Sequence, residues 1–249
     1  TGSIVVTDLD SQDANSTTVG SLIIQSGGKF TIGSDDSLVL QGSATTLTVN
    51  TGTTLTANGS LTVSGTGYTN NGTVTIGSSS SITYNVTSAS LTLISSTLYN
   101  NLTLSGSSTT FTAPANLTTI SGNLSITGGT FNPNNTSVSL TGTNKTVTGS
   151  FSFYNLTKTV TATDSLTFAA GSTTTVTGVL TLRGTSGALL TVNSSSGGSI
   201  ATITSASTSA RYLNVQDSTA TNTTVCTKGC TDLGNNTNWF FGAIYSGGK

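Results

Sequence analysis

A short alternation of polar and apolar residues recurs along the chain, and it restricts the fold more than any other feature. The rows read SLIIQSG from Ser21, SLVLQGS from Ser37, TTLTVNTG from Thr45, SLTVSGTG from Ser60, TVTIGSS from Thr73 and SLTLISS from Ser90. They continue as NLTLSGS from Asn101, NLSITGG from Asn123, SVSLTGT from Ser137, SLTFAAG from Ser165, VLTLRGT from Val179 and LLTVNSS from Leu189. A period of two marks β-strands with one buried face, and the Gly, Ser and Asn that follow each row mark corners. The best matches recur at roughly 16 to 20 residues, with shorter strands such as TTFTA at Thr109 and KTVTG at Lys145 in between. One such coil cannot bury its apolar side alone, but stacked coils bury a continuous column.

The expected fold is therefore all-β, a parallel β-solenoid of about 12 coils rising about 4.8 Å each. It is expected over residues 1–222, with 223–249 as a capping or docking segment. The inward positions are predicted to include Leu22, Ile24, Leu38, Leu40, Leu61, Val63, Val74, Ile76, Leu91, Leu93, Leu102 and Leu104. Leu124, Ile126, Val138, Leu140, Leu180 and Leu182 complete that set. A barrel or a β-sandwich is the alternative. A sandwich of immunoglobulin type calls for longer strands and a central buried Trp, whereas Trp239 is the sole Trp and lies near the end.

Composition removes several classes of function. The chain has 95 Ser plus Thr, no Glu, no Met, no His and only seven Lys plus Arg, so amphipathic helices with charge pairs are not available. A polar, low-complexity chain can be disordered, but Thr, Val, Ile and aromatic residues in alternation favour a pleated, half-buried surface. The net charge of −1 and the absence of a basic run argue against nucleic acid as a partner. No apolar run approaches the ~18 residues of a membrane-spanning helix, so no membrane insertion is expected. No leader peptide is visible, and Thr1 reads as a processed or trimmed start, while the ending SGGK points to a longer parent chain.

Candidate chemistry is sparse. The acids are Asp8, Asp10, Asp13, Asp35, Asp36, Asp164, Asp217 and Asp232. Asp35 and Asp36 are adjacent, so on a strand they face opposite ways, and after FTIG they read as solvated corner residues. Asp217 follows Arg211 by six residues, which predicts an ion pair across a coil edge. Without His, a Ser nucleophile lacks its usual base. No enzyme activity and no cofactor are expected. Asp8, Asp10 and Asp13 form the densest set of oxygen ligands and are a weak calcium candidate, lacking the Gly and closing Glu of an EF-hand loop. Cys226 and Cys230, spaced C-T-K-G-C, do not make a zinc site without further ligands. They read as a disulfide across a short loop, with a reduced pair as the alternative; the disulfide fits an extracellular or cell-surface location.

Candidate glycosylation sequons stand at Asn15, Asn58, Asn71, Asn85, Asn101, Asn116, Asn123, Asn134, Asn135, Asn144, Asn155, Asn193, Asn222 and Asn235. With Ser and Thr so abundant, chance produces about nine of these among 21 Asn, and Asn ladders at coil corners explain many equally well.

The stretch 121–168, SGNLSITGGTFNPNNTSVSLTGTNKTVTGSFSFYNLTKTVTATDSLTF, resembles the parallel β-helix repeats of bacterial surface proteins of the filamentous-haemagglutinin or adhesin type. The Phe153 to Thr157 box, FYNLT, carries that resemblance, echoed by LYNNLT from Leu98 to Thr103. The segment 179–222 looks like a module found at the ends of such solenoids. The resemblance implies a right-handed coil and a surface location, not a particular activity.

The solenoid reading turns attention to the ends, because open coils expose unpaired strand edges. Ile4, Val5 and Val6 open the chain directly with a strand-like run. Trp239, Phe240, Phe241 and Tyr245 cluster at the other end, either as a plug on the chain's own core or as a contact to a neighbour. The expected function is a structural subunit of an extracellular filament or surface stalk that self-associates head-to-tail, or a continuation of a longer chain. The alternatives are an adhesin module binding glycans or host and abiotic surfaces, and, more weakly, a degenerate carbohydrate-active β-helix.

Overall fold

The computed structural model describes residues 16–242 apart from 26, 42–44, 66 and 88. It is a parallel β-solenoid of about 10 turns with 29 strands and no helix among the described residues. The chain divides into two compact units, Thr1–Asn134 and Asn135–Lys249.

In the first unit, the strands Ser16–Val19, Ser37–Leu40, Ser60–Val63, Ser81–Asn85, Asn101–Ser105 and Leu124–Ile126 stack as one parallel sheet. Their register aligns Leu38, Leu61, Ile82, Leu102 and Leu124 in one column and Leu40, Val63, Tyr84, Leu104 and Ile126 in the next. Each turn therefore takes 20 to 23 residues. Lys29–Ile32, Thr54–Ala57 and Thr73–Ile76 build a second sheet, and Leu22–Ile24, Thr45–Val49 and Gly67–Asn70 a third. Rows expected as separate coils, such as those at Ser37 and Thr45, thus belong to different faces of one turn. This is why about 12 coils become about 10: a local alternation marks each strand but not the corner that separates one face from the next.

Seventeen of the 18 predicted inward side chains are buried, and Val74 is half-buried. Alternation also explains the Ser and Thr content. Thr62, Thr83 and Thr103 pair in register on the outer face, where β-branched side chains pack well on a pleat while their hydroxyls meet water. What the alternation does not identify is the aromatic filling. Leu91, Phe111 and Phe131 align in one column. Tyr84 and Tyr99 are fully buried with their hydroxyls 3.2 Å apart. Tyr84 Oη accepts the Ile94 N–H at 2.8 Å, and Tyr99 donates to the Ile94 carbonyl at 2.6 Å. The two phenols therefore pair both backbone groups of an irregular buried residue, and burial holds both well above the ordinary phenol range.

Corners are equally specific. Contrary to the expectation of a solvated corner residue, Asp36 is buried. Its Oδ2 accepts the Gly33 N–H at 3.2 Å, and its own N–H donates to the Gly33 carbonyl at 3.3 Å, so the carboxylate closes the turn. The next coil rests on that turn through Gly59, where a Cβ would collide with the carbonyl oxygens of Gly33 and Asp36. Because backbone lies on the far side of the contact, relief requires moving a coil. Gly59→Ala is expected to cost roughly 1–3 kcal/mol, read as a lower denaturant midpoint with an unchanged m-value.

In the second unit, Lys145–Thr148, Asp164–Phe168, Leu190–Ser194, Leu213–Gln216 and Thr231–Asp232 form one parallel sheet. Ser137–Leu140, Asn155–Thr159, Thr173–Arg183, Ala201–Arg211, Ser218–Cys226 and Thr237–Phe241 form another. The expected boundary at residue 222 falls inside Ser218–Cys226, and parallel pairing runs on to Phe241.

Candidate functional site

Two features of the second unit carry charge where the fold otherwise has Ser, Thr and aliphatic residues. The first is internal. Asn155–Thr159 alternates so that Leu156 and Lys158 face inward, and Lys158 pairs in register with Leu182. Asp164 opens Asp164–Phe168 at an inward position, in register with Leu190. An ion pair thus occupies places that the neighbouring coil fills with Leu. Lys158 Nζ lies 2.6 Å from Asp164 Oδ2, with side-chain exposures of 0% and 3%, and also donates to the Gly142 carbonyl. Asp164 Oδ1 accepts the N–H groups of Asn144 at 2.6 Å and Ser165 at 2.7 Å.

Burial pushes the Asp164 carboxyl up, but the hydrogen bond from Lys158, the two N–H donors and the Lys158 charge outweigh it. The carboxyl ends below the ordinary carboxylate range. Sequence reasoning places Asp164 only among scattered acids. A signal for it is present nonetheless, since Leu156, Lys158 and Val160 share one parity.

Removing one partner of a buried pair strands the other charge, so Asp164→Ala is expected to cost roughly 3–5 kcal/mol. The double change Lys158→Met with Asp164→Leu leaves no orphan, and chemical denaturation should find it much closer to wild type. The pH dependence has a fixed sign. Because the folded pKa is depressed, this contribution is complete above the unfolded value of about 3.9 and fades as pH falls through the folded one. Denaturant midpoints measured from pH 6 downward should therefore drop more steeply for wild type than for the double variant.

The second feature is external. Arg183 and Arg211 end their strands as register partners, both on the outer face beside the inward Leu182 and Ala210. Thr227 follows in the next coil, donating its N–H to the Ala210 carbonyl at 3.0 Å. Tyr212 donates its N–H to the Lys228 carbonyl at 2.7 Å, and Lys228 Nζ lies 5.8 Å from the centre of the Tyr212 ring. Arg183 Nη2 donates to Ser209 Oγ at 2.5 Å, while its Nε is buried without a hydrogen-bond partner.

Three cations therefore line one corner in successive coils. The expected Arg211–Asp217 pair does not form: Lys158–Asp164 is the one ion pair among the described residues. Asp217 instead turns inward at φ 52°, 4% exposed, and its Oδ1 accepts the Asn235 side-chain amide at 2.6 Å.

The last strand completes the picture. Thr237–Phe241 pairs with Ser218–Cys226 and ends its sheet among the described residues. Trp239 is buried, stacks on Phe241 at 6.4 Å and donates Nε1–H to Ser218 Oγ at 3.1 Å. Phe240 points outward and is 52% exposed. Trp239 and Phe240 thus divide by parity between the chain's own core and its surface. Cys226 and Cys230 stand at disulfide distance, with Cα atoms 6.1 Å apart, in the loop that carries Lys228.

Ile4, Val5, Val6, Asp8, Asp10, Asp13, Asn15 and Tyr245 lie outside the described residues. The described sequon asparagines are exposed or half-buried. Several of their amides are used structurally: Asn155 donates to Ser137 Oγ and Asn222 to the Ser205 carbonyl. No group of three metal-ligating His, Cys, Asp or Glu occurs among the described residues. Compared with known proteins, the chain matches no family model, no curated protein and no solved structure.

Proposed function

We propose that the chain is a structural subunit of an extracellular filament or surface stalk in which copies stack head-to-tail through their terminal coils. The observation that carries this reading is the strand Thr237–Phe241, the last of its sheet among the described residues, with Phe240 half-exposed upon it. A terminal strand of a parallel ladder carries a row of backbone donors and acceptors that another strand of the same repeat can pair with. A contact between unlike ends does not close on itself, so it propagates.

Supporting considerations come from the chemistry the chain does have. The cysteine pair fits an oxidising compartment. An outer surface of Ser, Thr and Asn suits a hydrated extracellular setting. The FYNLT resemblance to filamentous-haemagglutinin and adhesin repeats points the same way.

Negative-stain microscopy of the purified chain at rising concentration tests the reading: filaments with an axial repeat near the length of one copy are expected. Monodisperse single copies at every concentration would sink it. Phe240→Lys places a charge on an exposed position of the terminal strand, where it opposes strand addition at little cost to the fold. Its expected outcome is an unchanged unfolding midpoint with a clear loss of pelletable polymer.

A further inference from the structure

The cationic corner of the second unit is unexplained by the solenoid itself. Arg183 and Arg211 stand side by side, about 4.8 Å apart between coils. Like charges at that distance repel, and no carboxylate among the described residues lies within ion-pair distance of either. Lys228 adds a third charge one coil further, held above the Tyr212 ring in the loop between the two cysteines. Three of the chain's seven cations are thus gathered at one corner of a protein whose net charge is −1. The Arg183 fork is steadied by Ser209.

The chain also contains one compact set of the opposite sign. Asp8, Asp10 and Asp13 are three of its eight acids and fall within six residues, just before the first described strand, Ser16–Val19. We infer that residues 8–13 of one copy dock on the Arg183–Arg211–Lys228 corner of the next copy, so that three carboxylates meet three cations across the head-to-tail contact. This rests on the filament reading and assigns its electrostatic register.

The reach is sufficient. Asp8 precedes Ser16 by eight residues, which extend to about 27 Å. From the first described coil of a stacked copy back to the coil of Arg183 is four coil steps, one of them between the copies, about 19 Å along the stack. Such a contact fixes orientation and partner choice more than raw affinity, because opposed charges admit one polarity of stacking and reject the reverse.

The test is a paired charge reversal read by pelleting and electron microscopy, with wild type alongside. D8K/D10K/D13K confronts a basic segment with the basic corner, and R183E/R211E/K228E confronts acid with acid. Each alone is expected to raise the concentration needed for assembly about tenfold or more. Mixed one to one, they restore complementary contacts in alternation, and filaments should return. Wild-type assembly should also weaken as salt rises.

Circular dichroism and thermal unfolding establish that each variant is folded, and R183Q/R211Q/K228Q replaces the reversed corner if it is not; the expected loss of assembly is then partial. Variants that assemble like wild type, or a folded mixture that stays monomeric, overturn the docking while leaving the filament intact. Absence of wild-type filaments overturns both.

Discussion

In-register parallel pairing between successive coils is the interaction on which the rest of this structure depends. Each strand gives its backbone donors and acceptors to the coils before and after it, so the ladder satisfies the main chain without helices. Register then dictates side-chain chemistry. Leu61 meets Leu38 and Ile82, while Thr83 meets Thr62 and Thr103, because a shift of one residue would exchange core and surface. A chain this rich in Ser, Thr and aliphatic residues can hold such a fold, since the outer face asks only for small polar β-formers and the inner face only for apolar ones.

The same constraint explains why the exceptions stand out. Lys158 and Asp164 occupy inward positions that Leu182 and Leu190 fill in the next coil, and they are tolerated because each charge is paired and its remaining hydrogen bonds are met by backbone. Asp36 and Asp217 likewise turn inward at corners, where strand pairing is interrupted and a carboxylate oxygen accepts from a turn N–H or a corner amide. Asp36 and Asp217 thus close corners. Meanwhile the column Arg183–Arg211 is a place where in-register stacking, normally favourable for Leu or Thr, brings like charges together. A stacked fold amplifies whatever residue it repeats.

A solenoid whose coils are interchangeable in backbone geometry needs something beyond the ladder to define its ends. Thr237–Phe241, the last strand of its sheet among the described residues, divides its aromatic residues by parity. Trp239 and Phe241 stack with each other, and Trp239 is buried, while Phe240 faces outward. Of the plug and the docking surface set out as alternatives from the sequence, burial of Trp239 fits the first, and the exposure of Phe240 leaves a side chain at the surface.

Strand character, the inward set from Leu22 to Leu182 and the parallel solenoid itself were legible in the sequence, because a period of two is a local property that each row reports independently. The number of turns was not, because it depends on where corners bend the chain between faces, and a Gly-Ser corner within a coil reads like one between coils. The pairings of charges were not legible either. Arg211 and Asp217 are near in sequence but stand at opposite ends of the strand Leu213–Gln216, one exposed and one buried, whereas Asp164 meets Lys158 inside the coil and Arg183 meets Arg211 across 28 residues. Alternation determined which way each side chain points. Only the stacking of coils decided what it meets there, since coil length sets which residues lie one step of about 4.8 Å apart.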